Sequence, residues 1–262
     1  MATRISQYLG GHVADWLRGT AMPVAPTSVY LALSSTEIYD NGTGITELTG
    51  GYARQAISFT TVAHSEGTGS IMSNSAPILF AGLGATTATH FAVFDAVSGG
   101  NMLFYGPIDA PIGVSGGGSV SFAAGIVVLQ YAGLSSNYLG GAILNWVRGT
   151  AAPSAPISVQ LAHSTTQILR NGSGLNEPSG GYSRQQLTFG APSFVSGMGT
   201  TITNTNNAIF GPATLLWGPL TYAALVDQAG NILMAGSIAV PFSVTPGEGR
   251  GVNIGAFSLT VR

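Results

Sequence analysis

Residues 8–59 read YLGGHVADWLRGTAMPVAPTSVYLALSSTEIYDNGTGITELTGGYARQAISF, and residues 138–189 read YLGGAILNWVRGTAAPSAPISVQLAHSTTQILRNGSGLNEPSGGYSRQQLTF. The two stretches align without a gap at an offset of 130, and more than half of the paired positions are identical, so the chain writes one unit twice. The likeness continues more weakly: Ser73-Asn74-Ser75 and Phe80 match Thr203-Asn204-Thr205 and Phe210. His90 to Asp95 corresponds to Tyr222 to Asp227, after which the second copy has a shorter turn. The repeat divides the chain into residues 1–131 and 132–262, each long enough to bury a core. The short link Ala132-Gly133-Leu134-Ser135 should hold the two units side by side as a pseudo-dimer, by raising their effective concentration.

Within one unit, Ser6 is placed to cap a helix carrying Leu9, Val13, Trp16 and Leu17 on one stripe, closed by Gly19. The second copy offers Ser136 or Asn137 as the cap, then Leu139, Ile143, Trp146, Val147 and Gly149. Pro23 to Pro26 and Pro153 to Pro156 cannot continue a helix and read as extended connectors. Strands are expected at 28–34 and 158–164, then polar Asn-Gly-x-Gly loops, then strands led by Gly50-Gly51-Tyr52 and Gly180-Gly181-Tyr182. Short strands at regular spacing with Gly-rich turns predict an all-β chain. Its two similar antiparallel sandwich or jelly-roll-like units would each open with a short helix.

Only 7% of the residues are charged and none is lysine, yet no apolar run approaches the length of a membrane helix. A surface so poor in charge is expected to be covered by other subunits, which implies a homo-oligomer or a larger assembly. The net charge of −2, with scattered arginines, argues against a nucleic-acid partner. The N-terminus lacks the apolar core of a signal peptide, so folding in the cytoplasm of the producing cell is expected. With no cysteine there are no disulfides or thiolate metal sites.

The repeat filters candidate chemistry, because a site belonging to the unit should occur in both copies. His12 faces Ala142 and His163 faces Leu33, and none of the four histidines has metal-ligand spacing. The repeated carboxylates Glu47/Glu177 and Asp95/Asp227 suit a paired arginine and a turn cap, respectively. No catalytic motif, cofactor site or metal site is expected. Arg18/Arg148 and Arg54/Arg184 recur, and with Trp16 and Trp146 the first pair marks a helix-to-sheet joint. Tyr52, Arg54 and Gln55, with Tyr182, Arg184 and Gln185, are the candidates for contact with a neighbouring subunit or a glycan, Tyr52 being the expected exposed aromatic.

The Tyr-Leu…Trp-x-Arg-Gly-Thr helix, Pro-x-x-Pro link, Val-x-Leu-Ala strand and Gly-Gly-Tyr-x-Arg-Gln segment resemble small structural proteins of tailed bacteriophages, of head-decoration or tail-fibre type. The strand from His90 to Asp95, with Gly99-Gly100-Asn101-Met102-Leu103 after it, extends the resemblance. Members usually resemble one unit, so the duplication is a departure. The resemblance implies a non-enzymatic virion protein. Its leading form is a capsid decoration or cement protein bridging neighbouring copies of the major capsid protein; the alternative is a tail-fibre or baseplate module that binds a host glycan.

Overall fold

The computed structural model describes residues 3–262. The two helices, α1 (Gln7–Leu17) and α2 (Asn137–Val147), open the two halves, and almost all other regular structure is antiparallel strand. Ser6 and Ser136 are the caps: their hydroxyls accept the backbone N–H of Leu9 at 3.1 Å and of Leu139 at 3.2 Å. This satisfies one of the orphan donors at each helix start.

The main sheet of the first half runs, edge to edge, through residues 4–5, 102–114, 86–94, 29–34 and 55–57. Its counterpart in the second half runs through 232–244, 217–227, 159–164 and 185–187, and a single bridge from Ser135 to Met234 stands in for the fifth strand. A three-stranded sheet (63–65, 69–73, 128–131) and a two-stranded ribbon (78–83 with 118–122) complete the first half. The second half repeats both with 193–195, 199–203 and 258–261, and with 208–210 and 250–252. Buried Asn74 and Asn204 fasten the return loops. Each side chain accepts one backbone N–H, from Val127 or Phe257, and donates to two carbonyls. Fully paired, such an amide is a stable way to bury polar backbone.

The main sheets are apolar on both faces. On the outer face the polar loops fold over small clusters, Ala32, Ile38, Phe94 and Met102 in one half and Ala162, Ile168, Val226 and Ile232 in the other. On the inner face one continuous core takes side chains from both halves, including Leu9, Trp16, Phe80 and Leu129 with Leu139, Trp146, Phe210 and Leu259. The helices explain this continuity, because each crosses over. Helix α1 lies on strands 199–203 and 258–261 of the second half, and α2 lies on 69–73 and 128–131 of the first.

Candidate functional site

The crossing is built from the repeated residues. A Gly-Gly pair in the middle of a helix costs about 1 kcal/mol per residue in propensity, so its presence needs a packing reason. A Cβ added to Gly140 would lie 2.4 Å from Ser70 Oγ, and one on Gly10 would lie 2.9 Å from Thr200 Oγ1. Gly11 and Gly141 meet Phe194 and His64 in the same way, at 3.2 and 3.0 Å. Each helix therefore rests directly on the other half's strands. Past the helix, Trp16 Nε1 donates to the carbonyl of Pro153 at 3.0 Å, and Trp146 Nε1 donates to that of Pro23 at 2.8 Å. The Pro-x-x-Pro connectors are thus the receptors of a reciprocal clasp. Arg18 adds a bond from Nε to the carbonyl of Phe189 at 3.1 Å while pairing with Asp15. Arg148 instead bonds to Asn145, which stands where Asp15 does in the first half. The four predicted joint residues therefore lie at a joint between the halves, where the sequence suggests one within each unit.

The second predicted group is turned inward. Tyr52, the aromatic expected from sequence to be exposed, is half-buried, and so is Tyr182. Their hydroxyls accept the backbone N–H of Leu33 at 3.0 Å and of His163 at 2.6 Å, and their rings stack on Phe80 and Phe210. Burial raises both phenols well above their ordinary range. Arg54 pairs with Glu47 at 2.6 Å, donates to the carbonyls of Ala96 and Gly99, and lies 3.6 Å over the Phe94 ring. Arg184 forms a fork with Glu177, which raises its own pKa further. Gln55 and Gln185 fold back on the carbonyls of Ala53 and Ser183. Asp95 and Asp227 cap the hairpin turns through the N–H groups of Asn101 and Asn231.

Two features escape sequence reading because they are absent from the repeat. His163 is buried where Leu33 packs in the first half, enclosed by Tyr182, Phe210 and Phe242. Burial, with the nearby Arg250 guanidinium adding to it, lowers its pKa to about 4. The other feature is a cleft of about 600 Å³ at the seam of the halves, lined by Tyr8, His12, Asp15, Asp40 and Asn101 of the first half and Phe194 of the second. The matching positions of the second half carry Ala142, Asn145 and Arg170 in place of His12, Asp15 and Asp40. There the Arg170 guanidinium is committed to the carbonyls of Ser135, Gly133 and Glu66.

Among the described residues no three or more His, Asp or Glu side chains stand close enough to hold a metal ion. No helix among them is long and apolar enough to cross a membrane. Fold and site together define a repeated, β-rich module whose shared residues interlock its own halves. A family model described as podophage GP4 fiber I protein gp80 matches residues 4–130 and again residues 135–260. The chain belongs to this family, as a tandem duplication of its unit, and is a virion component. No curated protein matches it.

Proposed function

We propose that the chain is a non-enzymatic building block of a podophage fibre, assembled in the host cytoplasm and carried on the virion in contact with other virion proteins. The observation that carries this reading is the family match to both halves, since the family's description names a fibre. That favours the fibre over the capsid shell, which low charge alone fits equally well. The interlocking supports it physically, because a body with one core and two reciprocal clasps cannot bend between its halves without breaking buried contacts. Exposed apolar side chains on the connectors, Val24 at 94% and Ile157 at 89%, suit contact with neighbouring subunits of the fibre. Immunogold labelling and cryo-electron microscopy of whole particles test the proposal. Label on the tail appendages is expected, and label spread over the head shell would overturn it in favour of the cement role.

A further inference from the structure

We infer that the seam cleft of the first half receives a short neutral saccharide. This deepens the fibre reading and rests on it for biological sense, although binding by the purified chain is a separate question.

A volume of about 600 Å³ is within the usual range for small-ligand sites. A sugar ring presents an apolar C–H face and a rim of hydroxyls, so its site needs aromatic surface beside hydrogen-bonding groups fixed in place. The cleft has both. Phe194 is 47% exposed at the lip, and Tyr8 stands edge-on to His12 with ring centroids 4.6 Å apart. Asp15 and Asp40 supply acceptors, and each is already held by a partner. Asp15 pairs with Arg18 at 2.6 Å, and one oxygen of Asp40 takes the N–H of Gly197 at 2.9 Å. They therefore act as oriented hydrogen-bond acceptors more than as free charges. Burial lowers the pKa of His12 against the opposing charge of Asp15.

The lining contains no lysine or arginine. An acidic sugar or a phosphate would meet two carboxylates, and the neighbouring cation, Arg18, is already paired with Asp15, which disfavours it. The wall on the far side is the hairpin turn containing Gly100 and Asn101, braced by Arg54 through the carbonyls of Ala96 and Gly99. Arg54 is thus a positioning residue for the cleft. In the second half the turn is shorter, Ala142, Asn145 and Arg170 stand where the first half has His12, Asp15 and Asp40, and the Arg170 guanidinium is bound to backbone carbonyls.

The test is titration of the full chain, by saturation-transfer NMR and calorimetry, with maltotriose, N,N′,N″-triacetylchitotriose and a galacturonic acid trisaccharide. A lysine-rich peptide serves as a fourth probe. At least one neutral trisaccharide should bind and the galacturonic acid trisaccharide should not. The double variant H12A/D15N installs the residues that the second half already tolerates at these positions, so it should keep the wild-type melting temperature while losing affinity about tenfold. Phe194→Ala should lose a similar factor. Failure of both neutral sugars to bind, undiminished binding by both variants, or binding of the peptide alone would overturn the inference. Particle labelling decides the fibre reading independently of every one of these outcomes.

Discussion

Glu47 with Arg54 and Glu177 with Arg184 are one pair written twice, yet they end in different surroundings. Arg54 is 8% exposed, touches two turn carbonyls and lies on Phe94, whereas Arg184 is 29% exposed and, among the described residues, bonds only to its glutamate. The spacing of seven from glutamate to arginine is the same in both copies and does not set the outcome. What changed lies elsewhere in the chain: the turn after Asp227 is shorter, and Val226 replaces Phe94. A repeated motif therefore transmits its local geometry, while the role of a long side chain depends on segments that are free to diverge. The same holds for the space occupied by Leu33 in one half and His163 in the other.

The sharpest break of this parity should come from acid. The folded His163 pKa of about 4 lies below its ordinary 6.5, so as pH falls the unfolded chain takes up the proton first. Its contribution is fully present above about pH 6.5 and is lost as pH drops toward 4, a change on the order of 3 kcal/mol. Urea unfolding between pH 7 and 4 should show this loss, and His163→Leu, which copies the first half, should flatten that part of the profile. If the variant keeps the wild-type slope, the histidine is not the cause.

Next is the helix crossing. Gly140→Ala meets both Ser70 Oγ and Ser70 Cβ and should cost about 2–3 kcal/mol by overpacking, more than Gly10→Ala, whose nearest contact is looser. Equal melting temperatures for the two variants would contradict the closer approach of α2. For the arginines themselves, Arg54→Ala should cost about 2 kcal/mol, because it strands Glu47 and two carbonyls. Arg184→Ala should cost less than about 1 kcal/mol, as for a partly exposed pair. A double-mutant cycle with Glu47→Gln and Glu177→Gln checks the difference. A modest effect belongs to the clasps, where Trp16→Phe and Trp146→Phe should each remove one hydrogen bond and about 1 kcal/mol. Similar losses from both would show that the reciprocity is energetic as well as geometric.

Most of the fold was legible from residues. The repeat, the caps, the apolar stripe of each helix and the alternating strands each leave a local pattern of known period. The Glu47–Arg54 and Glu177–Arg184 pairs and the Asp95 turn cap were also within reach, since their partners are close in sequence. The crossing of the helices was not, because an apolar stripe reports that a face is buried but not which half buries it. Its one local signal is the Gly10-Gly11 pair inside a helix, a propensity cost that only close packing explains. Tyr52 was misread as exposed because a Gly-Gly before a strand resembles a flexible lead-in, whereas here the phenol closes on the backbone of Leu33. The seam cleft leaves no mark in the repeated residues, since it exists where the two copies differ.

The reciprocal clasp has a consequence for how such a protein can change. Two identical chains joined in this way would share every substitution, so an aspartate placed at position 40 would appear on both sides of the symmetry axis. Linked in one chain, the two sides are spelled independently. Asp40 can line an opening while Arg170 reaches the backbone at the mirrored place, and the joint between them stays symmetric. Fusion here separates heredity from symmetry: the frame must remain paired, while each surface can vary alone.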